Sequence, residues 1–257
     1  MTTRENIIAP LHEHYKYLKE CCKVIYTGLY GSQNYDLYNE NSDIDSKTII
    51  IPSVRDIALG VKPHSSVVKF DDGAQSDVKD VRLMIKNFLK QNVNFLEILF
   101  TDYFFYNHEY SGFVDFLRSN AERIAHYNPM LCVKCMCGMA KDKMAHMEHS
   151  SPATEDRIAQ FGYDPKELHH IVRLRELAEN YTKGMPFGEC LKSNHKPYLM
   201  KIKNGDFELA AARQIAKTEI EVLERIKQNF TAPIDDGLID LIEKELINLF
   251  CQAFREV

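Results

Sequence analysis

Residues 24–51 constrain the fold of this chain more than any other stretch. An apolar run, Val24-Ile25-Tyr26-Thr27-Gly28-Leu29, ends in Tyr30-Gly31-Ser32. After a polar connection comes Ser42-Asp43-Ile44-Asp45-Ser46-Lys47-Thr48-Ile49-Ile50-Ile51. Side chains at i and i+2 of a strand share a face, so Asp43 and Asp45 present paired carboxylates while Ile44 turns away. Two carboxylates that close repel unless positive charge lies between them. A divalent cation meets that need, and Mg2+ is commonly held by one or two carboxylates plus substrate phosphates. Backbone N–H groups at Gly31-Ser32, with the Ser32 hydroxyl, suit the phosphates themselves. The stretch reads as a site for a metal-bound nucleoside triphosphate.

The rest of the chain is long enough to build a core around it. With 257 residues, one large domain or two small ones are expected. A net charge of −5 argues against a globally basic nucleic-acid binder and leaves room for a local basic groove. Residues 1–19 mix charged and apolar positions without a continuous apolar centre, and no run has the length of a membrane span. A cytoplasmic protein with no membrane partner is the expectation. The seven cysteines, Cys21, Cys22, Cys132, Cys135, Cys137, Cys190 and Cys251, are an odd number without a secretory signal, which fits reduced thiols. Cys132-x-x-Cys135-x-Cys137 invites a zinc-stabilised interaction domain, but no second Cys/His pair at finger spacing accompanies it. Thiols buried in a helix are the preferred reading.

In chain order, Ile7, Ile8, Leu11, Tyr15 and Leu18 predict a helix over residues 4–21. A strand over 23–29 follows, and residues 34–41 suit a short helix or loop. Pro52 stops the Asp-bearing strand, and Ser53 caps a short helix over 54–59. Ser65-Ser66-Val67-Val68-Lys69-Phe70 followed by Asp71-Asp72-Gly73 is a hairpin signal, with the return strand over 76–81. A helix over 80–91 follows, with Asp80 placed to cap it. Glu97, enclosed by apolar neighbours, needs a partner, and a structural ion pair is the expected role. The irregular aromatic stretch 103–110 marks a domain boundary. From Gly112 the pattern is helical, and the methionine stripe Met130, Met136, Met139 and Met144 reads as core.

The spacing of Gly31-Ser32 and Asp43-Ile44-Asp45 resembles the DNA polymerase β-like nucleotidyltransferase superfamily, and within it the nucleotidyltransferases associated with RNA-repair ligases. Ser46 departs from the pattern, where the family more often has an apolar residue. The resemblance implies an α+β fold: a small mixed β-sheet core with flanking helices over residues 1–110, then an all-helical C-terminal domain over 111–257. It also implies a third carboxylate on the returning strand, for which Asp77 is favoured over Asp80. Asn92-Val93-Asn94-Phe95-Leu96-Glu97-Ile98-Leu99-Phe100 and Lys196–Phe207 resemble further family segments, the second around Leu-Leu-x-Ile-Lys-x-Gly-Glu.

In the helical half, Asp164-Pro165 reads as a cap followed by a first helical residue. Beyond it Lys166, His170 and Arg173 fall at i, i+4 and i+7 on one helix face, with Leu168, Ile171 and Val172 opposite. Three potential cations on one face suit a phosphate clamp. The pattern Asp-x-Lys-x-x-x-His-x-x-Arg-Leu resembles the same family, while His169 reads as a bystander. Two last helices are predicted over 207–228 and 235–254.

Taken together, the resemblance implies a Mg2+- or Mn2+-dependent nucleotidyltransferase that releases pyrophosphate. Asp43, Asp45 and Asp77 are its metal-binding and catalytic residues, and Gly31, Ser32, Lys166, His170 and Arg173 hold phosphates. The acceptor hydroxyl is unspecified, with RNA or tRNA suggested by the family's association with RNA repair. The competing expectation is a nucleotide-binding or protein-interaction module of the same fold without turnover.

Overall fold

The computed structural model describes residues 3–38 and 42–255, so part of the connection predicted over 34–41 lies outside the described residues. The architecture is α+β. Its first unit spans Met1–Asn34, Tyr38–Tyr127 and Ile234–Val257, and its second spans Tyr35–Leu37 and Asn128–Pro233.

The first unit is built on five strands: β1 (Val24–Leu29), β2 (Ser46–Ile50), β3 (Ser65–Lys69), β4 (Gln75–Asp80) and β5 (Phe104–Tyr106). Their order is β3-β4-β2-β1-β5. Only the central β2–β4 pair is parallel, with Lys47 opposite Asp77; the other neighbours are antiparallel. The hairpin between β3 and β4 forms at Asp71-Asp72-Gly73 as the sequence predicts. There Gly73 takes φ +89° and the Asp72 carboxylate accepts from the Ala74 N–H at 3.0 Å.

Helix α1 (Thr3–Cys21) covers one face of this sheet. Ile7, Leu11, Tyr15 and Leu18 are buried, at the four-, four- and three-residue steps of one helix stripe. Ile7 and Leu11 pack on Leu29, while Tyr15 and Leu18 pack on Val24, Ile50 and Val78. Polar side chains buried on this face are satisfied in pairs. The hydroxyls of Thr27, Thr48 and Ser76 are linked at 2.9 and 3.0 Å across three strands. Ser46, the departure from the family pattern, is fully buried and meets His14 Nδ1 at 3.1 Å. A hydroxyl is tolerated there because α1 brings it a partner.

The other face of the sheet meets the segment after β4. Between β2 and β3 in the chain lies α2 (Val54–Ala58), capped by Ser53, which accepts from the Asp56 N–H. Past β4, the chain forms α3 (Val81–Leu89), α4 (Val93–Leu96) and a 3-10 turn over Glu97–Leu99. Tyr26 donates its hydroxyl to the Ile98 carbonyl at 2.6 Å and stacks on Phe104. Its ring consequently lies over Gly28, two residues along the same strand face.

Helices α5 (Ser111–Ser119) and α6 (Ala121–Ala125) and the last helix, α13 (Gly237–Ala253), belong to this sheet-bearing unit. The expected division at residue 110, with everything beyond it helical and separate, is not how the chain packs. Asp235 receives two hydrogen bonds from the Arg123 guanidinium, at 2.5 and 2.9 Å, and its N–H reaches the Tyr127 carbonyl. Lys23 Nζ donates to the Ala253 carbonyl at 3.3 Å, and Gln252 donates to the Glu109 carbonyl. These bonds hold the C-terminal helix to the first unit.

The second unit contains α7 (Pro129–His146), α8 (Glu155–Phe161), α9 (Pro165–Thr182), α10 (Phe187–Cys190), α11 (Lys196–Lys203) and α12 (Leu209–Asn229). Helix α9 is its centre, packed by α7, α11 and α12. Cys132 and Cys137 are buried on α7, and Met136 lies between them in the core. Burial pushes both thiols up, Cys137 to about 11, with a bond from its Sγ to Glu224 adding to the shift. Among the described residues no helix is long and apolar enough to cross a membrane.

A methyl group at Gly28 would meet the Tyr26 ring at 2.6 Å, and that ring is pinned by its hydrogen bond and by Phe104. Gly28→Ala is therefore expected to destabilise the protein by about 1–3 kcal/mol, the usual cost of overpacking a fixed core. Urea unfolding of the two proteins measures it.

Candidate active site

Strand alternation places Asp45, Lys47, Asp77 and Lys79 on the face of the β2–β4 pair opposite α1. The Asp45 carboxylate accepts from the Gln75 N–H at 3.0 Å, which ties the residue before β2 to the first residue of β4. Asp77 forms an ion pair with Lys79 at 2.6 Å. Asp80 points to the other side. It is fully buried, caps α3 through the Arg82 N–H at 2.8 Å, and pairs with the Arg82 guanidinium at 2.6 Å. Of the two candidates for a third carboxylate, Asp77 is the one that shares a sheet face with Asp45.

Lys47 was not singled out in the sequence, although it lies two residues beyond Asp45 on the same strand. It is buried, with its ammonium 3.2 Å from the centre of the Tyr30 ring and 5.0 Å from that of Phe95. Burial lowers its pKa to about 8; the carboxylates of Asp77 and Asp45 oppose that fall, and Lys79 adds to it. Burial also raises the Tyr30 phenol, and Asp45, Glu97 and Asp77 raise it further. Glu97 is fully buried in the 3-10 turn, so its charge acts on this same locality.

The Gly31-Ser32 turn lies next to the acids. The Tyr30 N–H donates to the Asp45 carbonyl at 3.1 Å, and the Gln33 amide donates to the Asp43 carbonyl at 2.8 Å. Asn34 braces the turn by donating to the Leu29 carbonyl at 2.9 Å and accepting from the Thr101 hydroxyl at 2.8 Å. Gly31 takes φ +103°, a region that favours glycine, with open space where a side chain would stand. Asp43 is exposed and Asp45 half-buried. Among the described residues no group of three or more His, Cys, Asp or Glu side chains is arranged to hold a metal ion. Two carboxylates on one face, with a third two residues upstream, are nonetheless the hard oxygen donors that suit Mg2+.

Lys166, His170 and Arg173 lie on α9 in the second unit. Asp164 caps this helix by accepting from the Lys166 N–H at 2.9 Å, and its carboxylate is gripped by Arg157 at 2.8 and 2.9 Å. Leu168, Ile171 and Val172 are buried, as the helix face predicts. Lys166 is exposed, His170 half-buried, and Arg173 buried with its guanidinium stacked 3.7 Å from the centre of the Tyr35 ring. His169 is buried too, lowered to about 3 by burial and by the charges of Arg173 and Lys203. His170 is lowered well below the usual histidine value by burial and by Arg173, His169, Lys143 and Lys166.

This mixed sheet, with an acid-bearing strand following a Gly-Ser turn, defines a nucleotidyltransferase-type protein. The chain belongs to the RlaP family, described as the RNA repair pathway DNA polymerase beta family, which it matches over residues 4–237. Among solved structures it is similar to a nucleotidyltransferase-like protein from Exiguobacterium sibiricum 255-15, at 11% identity over 88% of this chain and 74% of the other, with a TM-score of 0.33. No curated protein matches the chain.

His169 is held neutral in the fold, with a pKa near 3 against about 6.5 when unfolded. Its contribution to stability is complete above pH 6.5 and is lost as pH falls toward 3. His169→Gln is expected to flatten the acid limb of the stability curve by up to about 1.4 kcal/mol per pH unit, the weight of one proton. Urea midpoints between pH 7 and pH 4 give the comparison.

Proposed function

We propose that the chain transfers a nucleoside monophosphate from a nucleoside triphosphate to an acceptor hydroxyl and releases pyrophosphate. The observation that carries this reading is Asp45, immediately before β2, tied to the start of β4 and sharing a face with Asp77 on that strand, beside a glycine turn hydrogen-bonded to the same segment. Asp43, Asp45 and Asp77 would hold Mg2+ or Mn2+. Bound there, the metal supplies positive charge for the attacking and leaving oxygens of an in-line displacement. The N–H groups of the Gly31-Ser32 turn and the Ser32 hydroxyl hold the β- and γ-phosphates. Within the helical unit, Lys166, His170 and Arg173 offer phosphate contacts of their own. Asp77 takes the proton from the acceptor hydroxyl as its oxygen bonds to the α-phosphorus, and the bond from that phosphorus to pyrophosphate breaks. RNA is the acceptor class that the family description supports.

The Lys79–Asp77 ion pair at 2.6 Å favours a second reading, a nucleotide-binding module without turnover. It engages the carboxylate that the transfer requires.

Incubation with α-labelled triphosphates, Mg2+ or Mn2+, and separate pools of RNA, protein and small metabolites tests both readings. Label is expected in the RNA pool. Asp45→Asn is expected to reduce incorporation by roughly a hundredfold or more, the scale for losing a group that stabilises transition-state charge. Incorporation at the wild-type rate in that variant would refute the assignment. Nucleotide-dependent thermal stabilisation with no labelled product would establish the module without turnover.

A further inference from the structure

The segment around Leu199–Asp206 matched a family pattern in the sequence, yet the proposed chemistry uses none of it. In the fold it forms α11 and puts Lys203 among the basic groups of α9. Lys203 is half-buried, and its Nζ donates to the Leu37 carbonyl at 2.7 Å. That acceptor is neutral, so the bond orients the ammonium without cancelling its charge. Among the described residues neither Lys203 nor Lys166 has a carboxylate partner. The neighbouring acids are committed elsewhere: Glu167 to Lys143 at 3.1 Å, Asp164 to Arg157, and Asp36 to Lys196 at 2.7 Å.

His169 supplies the independent observation. Only 6% of it is exposed, and its Nε2 is buried without a hydrogen-bond partner among the described residues. A buried ring nitrogen left unpaired is costly, and native structures explain such cases by a missing partner. The charges that bear on His169 are those of Arg173 and Lys203, both positive. Like charges gathered at a half-buried spot, next to an orphaned polar nitrogen, call for an anion with several acceptor oxygens.

We infer that Lys203 and His169 join Lys166, His170 and Arg173 in an oxyanion site within the helical unit, and that its ligand is a phosphate group. This deepens the phosphate role proposed above for the three α9 residues and rests on that reading. A phosphate brings acceptor oxygens to the ammonium of Lys203 and the guanidinium of Arg173, and one to a His169 N–H. It could come from the triphosphate or from a phosphorylated nucleic-acid end.

Calorimetric titration of the full chain with inorganic tripolyphosphate, without metal, tests the site apart from catalysis. Lys203→Gln is expected to weaken binding at least tenfold and Lys203→Arg to restore most of it. Lys217→Gln, which removes an exposed charge from α12, should change it less than twofold. Parallel titrations with ATP and with 5′-phosphorylated against 5′-hydroxyl RNA identify the source. The probe whose affinity depends on Lys203 carries the phosphate. Undetectable tripolyphosphate binding to the wild type, wild-type affinity in a folded Lys203→Gln protein, or equal weakening by Lys217→Gln would overturn the inference. Asp45→Asn separates the two readings, since it should lose transfer while binding tripolyphosphate normally.

Discussion

Two carboxylates on adjacent parallel strands are the constraint from which the first unit follows. Asp45 and Asp77 share a sheet face, and such a pair is unfavourable unless positive charge reaches both. The fold supplies that charge from the same strands: Lys47 from β2 and Lys79 from β4. Lys47 is an expensive way to do it, because an ammonium buried between aromatic rings loses most of its hydration. That loss of hydration lowers its pKa to about 8. The π faces of Tyr30 and Phe95 recover part of the lost solvation.

The opposite face of the same strands shows what the sheet does where no chemistry is required. Thr27, Thr48 and Ser76 link their hydroxyls in a closed buried ladder, and Ser46 is matched by His14. The strand hydroxyls on that side are all paired inside the protein, beneath α1. Period-two alternation thus separates a self-satisfied face from one whose charges are imperfectly neutralised.

Much of this was legible because the relevant signals are local. The apolar strand, the Gly-Ser turn, the Asp-Gly hairpin, the stripe of α1 and the Asp164-Pro165 cap each depend on a few consecutive residues, and each forms where the pattern places it. The choice between Asp77 and Asp80 turned on register: Asp80 begins a helix and is consumed as its cap, while Asp77 stays on the strand. Lys47 is equally accessible to alternation, but a lysine in a strand reads as solvent-facing unless its cross-strand neighbour is known. Parallel pairing of β2 with β4, which puts Asp77 opposite Lys47, is a long-range fact with no local signature. The same holds for α13, whose helical pattern was clear while its return to the sheet-bearing unit depends on Arg123, more than a hundred residues away.

The helical unit presents the reverse electrostatic problem. Helix α9 carries acids and bases in plenty, yet its acids are absorbed locally: Asp164 by Arg157, Glu179 by Arg175 and Lys183, and Glu176 by Ser193 and Asn194. Lys203 leans on a main-chain carbonyl, and the Arg173 guanidinium stacks on the Tyr35 ring. The carbonyl holds the Lys203 ammonium in place without neutralising it. Had Lys203 served only stability, pairing it with a carboxylate or replacing it by an apolar residue of similar volume would cost less, because an uncompensated charge drawn out of water is expensive. Under the proposed reading, the oriented Lys203 ammonium beside the neutral His169 favours an anion. Under that reading, the acids of the first unit would hold cations and the bases of the helical unit would hold phosphate.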